Sequence, residues 1–318
     1  MNDFLRLLGR LLRPFGYDIR RRGSLNLLPL KGISPVSSAN RVRTTFDHDG
    51  SQEPTQKPNL DDLKIIFRTC LTRDRMDKAA IRIDAIPMVD IVERCFSSLV
   101  SSVNAALQED IPPRIELIIL DDHSDEPYRD VILRVATRLK CEWTIKTTTD
   151  RGQGASLHQQ FYISSRGDDL YYFCEDDYIH NQRAIIEMWL FYRQVFQSTG
   201  SHIIIHPQEH EALYVDSYYP SYLILSPYRH WRSVSDATHV LFTHTHVVRD
   251  YWSYFENTKY VGNYAKRRMG SERRTTNRLV GHIPFFAPIP ALAGHLQAPH
   301  LLPPFFDWRA LWNANAPD

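Results

Sequence analysis

From position 64 onward the chain alternates two hydrophobic rhythms. Lys64–Leu71 (KIIFRTCL) and Ile115–Leu120 (IELIIL) are short, nearly continuous apolar runs, the pattern of strands covered on both faces. Between them Met88, Val92, Cys95, Leu99 and Val103 recur at helical spacing and predict a helix over 88–107. The alternation continues with a helix over 128–140, a short strand over 142–146, a helix over 155–164, a strand over 170–174 (LYYFC) and a helix over 182–197. Strand and helix in series predict an α/β fold, a mostly parallel central sheet flanked by helices. Past position 200 the rhythm changes. His202–His206 (HIIIH), Tyr222–Leu225 and His239–Thr245 read as short strands between turns, followed by a basic loop after Val261 and a tail with six prolines from Pro284 to Pro304.

The first 62 residues stand apart from this pattern. Phe4, Leu7, Leu8, Leu11 and Leu12 share one face of a helix whose other side carries Arg6, Arg10 and Arg13, and Arg20, Arg21 and Arg22 follow as a basic cluster. Residues 1–22 therefore read as a basic, amphipathic helical arm suited to an anionic membrane surface. Residues 31–62, rich in Ser, Pro, Asn, Asp, Gln and Thr, read as a linker. The expected organisation is an arm and linker over 1–62 and one body over 63–318, with a nucleotide-binding half (63–180) and an acceptor-binding half (181–318).

Charge sharpens this division. The 318 residues carry 38 Lys+Arg and 37 Asp+Glu, a balance unlike that of a general nucleic-acid coat. Residues 1–50 hold nine Lys/Arg against four Asp/Glu, whereas the rest holds 29 against 33. Cys70, Cys95, Cys141 and Cys174 are far apart and form no CxxC pair, which points to a reducing cytoplasm. Arginines interrupt the N-terminal apolar run, unlike a secretory leader, and no stretch of 18 residues is apolar enough to span a bilayer. The expected location is cytoplasmic, peripheral on the inner face of the membrane if the arm docks there.

Chemistry concentrates where predicted strands end. Asp121-Asp122-His123-Ser124 follows IELIIL, Arg151-Gly152-Gln153-Gly154 follows the strand over 142–146, and Glu175-Asp176-Asp177 follows LYYFC. In an open α/β sheet, ligands bind beyond the carboxyl ends of the strands, so these clusters converge on one crevice. Three consecutive carboxylates repel one another unless a cation shares them, and hard oxygen donors suit Mg²⁺ or Mn²⁺.

The order of these motifs resembles a family 2-type glycosyltransferase with the GT-A fold, a Rossmann-like α/β architecture. The likeness runs from Lys64 to Val195 and is looser beyond. It is carried by Thr69-Cys70-Leu71-Thr72-Arg73 after the first strand, Asp121-Asp122-His123-Ser124 after the second, the Gly152–Gly154 segment, and Glu175-Asp176-Asp177 in the place of the family's Asp-x-Asp motif. The resemblance implies transfer of a sugar from a nucleotide-sugar donor, UDP-linked by preference, to a hydroxyl of a glycan or lipid-linked acceptor, with inversion. It implies that Thr69, Arg73, Asp121, Asp122, Gly152, Gly154, Glu175 and Asp176 line the donor pocket. Asp177 would hold Mn²⁺ or Mg²⁺ with Glu175, and a late histidine, His295 or its rival His300, would complete the shell. A glutamate at the first motif position departs from the family pattern.

Inverting transfer needs a base for the acceptor proton. Glu272 is the first choice and Asp236 the second. Glu272 lies in a basic run (Lys266, Arg267, Arg268, Arg273, Arg274, Arg278) that suits a lid over a diphosphate. Nine tyrosine and tryptophan residues from Tyr214 to Tyr254 offer faces for sugar stacking or core packing, and Trp231, between Arg229 and Arg232, is expected at the surface. Seven of the 14 histidines lie between His202 and His246; His244 and His246 would share one face of a strand and His206 could pair with His210, yet no HExxH or Cys/His zinc framework is present. Two other activities are compatible with this pattern, a nucleotidyltransferase on a similar sheet and a non-catalytic nucleotide- or glycan-binding module.

Overall fold

A computed structural model describes residues 42–43, 58–73, 83–209, 223–234, 237–259 and 271–317. The strands are β1 (Val42–Arg43), β2 (Asp62–Thr69), β3 (Arg114–Asp121), β4 (Glu142–Thr147), β5 (Leu170–Glu175), β6 (Tyr178–His180), β7 (Ile204–Ile205), β8 (Leu223–Leu225), β9 (His230–Val234), β10 (Leu241–His244), β11 (Phe285–Ile289) and β12 (Ala293–His295). The helices are α1 (Met88–Ala106), α2 (Glu126–Ala136), α3 (Gln153–Ser164), α4 (Ala184–Thr199), α5 (Thr245–Asp250), α6 (Trp252–Phe255) and α7 (Trp308–Ala314). The arm over 1–22 and most of the linker lie outside the described residues. The end of the linker belongs to the body: Asn59 donates to Asp62 and Asp169, and the Trp189 indole donates to the Leu60 carbonyl.

The central sheet has ten strands in the order β1-β8-β9-β11-β7-β10-β5-β2-β3-β4 among the described residues. Its heart is parallel: β4, β3, β2 and β5 run side by side in one direction. The strands reached by connections other than βα units, β10 and β9, run antiparallel to their neighbours. The alternating α/β pattern is thus observed, with a mixed extension in the second half.

The apolar runs explain the heart of the sheet. Ile65, Phe67, Leu117 and Ile119 point to one face, where α1 and α4 cover them, while Ile66, Ile118, Leu120 and Phe173 point to the other, where α3 and α5 close the second core. The α1 stripe delivers Met88, Ile91, Val92, Cys95, Phe96, Leu99 and Val103 into the interior, and Phe96 stacks on Phe67 with centroids 4.2 Å apart. Outermost β4 alternates exposed and half-buried positions, as an edge strand does.

Two expectations are corrected here. Trp231 is fully buried, because it faces inward from β9 and stacks on Phe191 at 4.1 Å. Strand alternation decides its side: Trp231 goes in while His230 before it is exposed, and Arg229, just ahead of β9, pairs with the buried Glu187. The proline-rich tail also contributes two strands, β11 and β12. β7 ends opposite Phe286, so Pro288 has a paired neighbour only in β9 and its missing N–H breaks no ladder on the other flank.

Candidate active site

Strand register sets the level of the crevice. Thr69 lies opposite Asp121, Asp121 opposite Thr147, and Arg68 opposite Glu175, so the polar ends of β2, β3, β4 and β5 form one rim. Several of the expected donor-pocket groups hold this rim together. The Asp121 carboxylate accepts the Ser124 N–H at 3.0 Å and lies 3.7 Å from the Arg129 guanidinium. Both Asp122 oxygens accept the Gly152 N–H, at 2.9 and 3.1 Å, and Thr148 donates to one of them. Gly152 has φ 112°, a conformation that favours glycine, and it caps α3, whose first turn contains Gly154. Asp176 accepts the Thr69 hydroxyl at 3.0 Å and the Cys70 N–H at 3.2 Å. Arg73 is exposed at the rim, with its backbone N–H on Asp125. These carboxylates join strand ends and turns, a use that the sequence pattern alone does not separate from ligand binding.

A second group is aimed differently. One oxygen each from Glu175 and Asp177 and one ring nitrogen of His295 all lie within 4.8 Å of one another. His295 reaches this position through pairing: β12 runs antiparallel to β6 with His295 opposite Tyr178, next to Asp177 in the chain. The His295 ring stacks on Tyr178 with centroids 4.5 Å apart, and its Nε2 is 3.3 Å from Asp177 Oδ2. Gly294 allows the close fit, since a Cβ there would sit 2.6 Å from the Phe306 ring. His300 is exposed in the helical turn Pro299–Leu301, outside this group. Two carboxylates and one imidazole suit Mn²⁺, with Mg²⁺ served by the carboxylates alone.

Arg68, Glu209 and His239 add what the motifs missed or left unresolved. Arg68 ion-pairs with Glu175 and donates to Ser156 at 3.3 Å, which places a cation between the start of α3 and the acidic group. A charge inside the apolar run KIIFRT was the available signal. His239 is buried, its Nε2 2.9 Å from the Thr275 hydroxyl and its Nδ1 3.5 Å from Glu272. Burial pushes the His239 pKa down, against the opposing pull of Glu272 and then Glu175. Glu272 itself begins the helical turn Glu272–Arg274. Glu209 follows Gln208, whose side-chain oxygen accepts the His295 N–H at 2.8 Å, and burial lifts the Glu209 carboxyl to about 7 against the charge of Arg232. Nothing in the local sequence PQEHE marks it.

Asp236, Lys266, Arg267 and Arg268 lie outside the described residues, and Arg274 and Arg278 are exposed. Of the nine tyrosine and tryptophan residues, Tyr214, Tyr218, Tyr219 and Tyr222 lie outside the described residues, Tyr228 is exposed, and Tyr251, Trp252 and Tyr254 pack against the second core. His210 lies outside the described residues, and His206 accepts the Gln208 N–H within its own turn. No helix among the described residues is long and apolar enough to cross a membrane.

No protein-family profile and no curated protein matches this sequence. Solved structures with partial backbone likeness include S. aureus TarS, at 10% identity and a TM-score of 0.39 over 71% of this chain and 36% of that one. A UDP-glucose pyrophosphorylase complexed with UDP-glucose matches at 10% identity and a TM-score of 0.40 over 73% of this chain and 91% of that one. The mannosyltransferase PcManGT from Pyrobaculum calidifontis, in complex with GDP-Man and Mn²⁺, matches at 13% identity and a TM-score of 0.32 over 52% and 41%. This chain thus spans little more than a third of TarS, and the chemistry has to be read from the site.

Proposed function

We propose that the protein is a metal-dependent glycosyltransferase of the GT-A type that takes its sugar from a nucleotide-sugar donor, UDP-linked by preference. The observation that carries this reading is the convergence of Glu175, Asp177 and His295 at the carboxyl rim of the parallel strands, with Arg68 beside them. A nucleoside diphosphate leaving group gathers negative charge as the glycosidic bond breaks, and a divalent ion held by Glu175, Asp177 and His295 would neutralise it. Arg68 supplies a fixed positive charge on the same rim. Thr69, Asp121, Asp122, Gly152 and Asp176 shape the donor pocket through the contacts that tie the rim, with Gly154 and Arg73 on its borders.

The acceptor proton has two candidate carboxylates, Glu272, 3.5 Å from His239, and the buried Glu209, whose chain neighbour Gln208 accepts the His295 N–H. Transfer to a hydroxyl of a glycan or lipid-linked acceptor with inversion fits either base. The arm over 1–22 would hold the enzyme at the inner membrane face, where a lipid-linked acceptor is presented. A nucleotidyltransferase is the second reading, since it too would place a divalent ion beside a nucleotide.

A thermal-shift panel of UDP-, GDP-, CMP- and dTDP-sugars, with and without Mn²⁺, tests the proposal. Stabilisation should require both nucleotide and Mn²⁺ and should disappear in Asp177→Ala. Full nucleotide affinity in Asp177→Ala with Mn²⁺ present would sink it. Product analysis separates the two enzyme readings: a glycosyltransferase releases a nucleoside diphosphate, a nucleotidyltransferase pyrophosphate.

A further inference from the structure

A second cluster lies at the opposite end of the strands from the crevice. β10 runs antiparallel to β5 with Leu241 opposite Phe173 and His244 opposite Leu170, so its first residue is near the crevice and its last is at the far end. There His244 meets His246, in the first turn of α5, and His202, which follows α4. The expectation that His244 and His246 share a face of one strand is corrected: the strand ends at His244, and the turn of helix folds His246 back against it, ring centroids 4.6 Å apart. His202 stacks on His244 with centroids 4.9 Å apart.

Three observations point to a ligand. One ring nitrogen from each histidine lies within 4.8 Å of the others. Nitrogen ligands about 2.0–2.1 Å from a tetrahedral ion sit roughly 3.3 Å apart, so a modest rotation of the partly exposed His246 closes the set. Second, the outer nitrogens are already committed: the His202 Nδ1 is 2.8 Å from the Tyr192 hydroxyl, and the His246 Nε2 is 3.1 Å from Asp168. That leaves His202 Nε2 and His246 Nδ1 for an ion, each oriented by an outer partner, one of them a carboxylate. Third, His244 is fully buried, its Nδ1 accepts the His246 N–H, and its Nε2 makes no hydrogen bond of good geometry, with only the backbone carbonyls of Asn59 and Asp168 as loose neighbours of the ring. A buried polar atom left in that state calls for an occupant.

We propose that His202, His244 and His246 form a binding site for Zn²⁺ or a similar late first-row divalent ion, separate from the crevice. Imidazole donors select such ions over Mg²⁺. His244 binds through Nε2, and its proton moves to Nδ1. The 3.2 Å contact that Nδ1 accepts from the His246 N–H is released in exchange, with no net change in protons. The half-exposed Asp168 and His246 provide the entry path, and water fills the fourth position. The ion would tie the segment after α4, the end of β10 and the start of α5 together.

Co²⁺ is the probe, added to the chelator-stripped full chain. The wild type and Asp177→Ala should both show ligand-field bands of a tetrahedral, nitrogen-rich site, displaced by Zn²⁺ and not by Mg²⁺. His246→Ala and His202→Ala should weaken Co²⁺ binding at least tenfold, with unchanged far-UV circular dichroism. His246→Gln, which keeps the side-chain volume, should do the same and covers a failure of the alanine variants to fold. Absence of these bands from the wild type, or bands that survive the histidine changes, would overturn the proposal. Bands lost in Asp177→Ala alone would place the ion in the crevice and would also overturn it, leaving the glycosyltransferase reading intact.

Discussion

At the scale of single residues, the motifs were legible as residue types and less so as roles. Two adjacent aspartates after an apolar strand were visible at once. That Asp122 grips the Gly152 N–H with both oxygens was not, because a short carboxylate reaches a backbone amide and a ligand at the same distance. The proton acceptor shows the same gap. Glu272 was readable beside its basic run, whereas Glu209 acquires its character only from burial. A base works best with a pKa near the working pH. Glu209→Gln is therefore expected to lower kcat by about 10²–10⁴ and to remove an acidic limb near pH 7 from the kcat/KM profile. Glu272→Gln should retain that limb. Donor turnover measured from pH 5 to 9 in both variants decides between them, and an unchanged limb in Glu209→Gln returns the role to Glu272.

At the scale of elements, the first half of the fold was readable because each strand–helix unit carries its own period. The predicted helix over 88–107 and strand over 115–120 match α1 and β3 to within a residue or so. The second half was harder because its strands are short and are paired by distant partners. β12 has three residues, and its place follows from its ladder with β6 and from packing against Phe306. Gly294→Ala puts a methyl group into that ring, an overpacking that costs about 1–3 kcal/mol. The expected outcome is a lower melting temperature together with weaker Mn²⁺ binding, since His295 moves with the strand. Adding Phe306→Leu should recover both. Recovery of stability without recovery of Mn²⁺ binding would separate β12 packing from metal placement.

At the scale of the whole molecule, buried neutral histidines make the fold sensitive to acid. His180 lies in the core with its Nε2 2.8 Å from the Tyr172 hydroxyl, and burial pushes its pKa down to about 3. Above about pH 6.5 it is neutral folded and unfolded, so it adds no pH dependence. Below that value the unfolded chain binds a proton that the folded chain refuses. Stability then falls by about 1.4 kcal/mol per pH unit for this residue until the folded pKa is reached. Urea midpoints at pH 7, 6 and 5 should decline, and His180→Gln should flatten the decline by close to one proton; an unchanged slope would show that His180 does not drive it. The same buried architecture gives β10 a further meaning. His239 stands just before it at the crevice and His244 ends it, five residues on, about 16 Å away along an extended chain. A strand this short, paired on both flanks, moves as one piece. Two ligands that each bias the position of such a beam are coupled reciprocally: the factor by which an ion at the histidines would change nucleotide affinity in the crevice is the factor by which the nucleotide would change affinity for the ion.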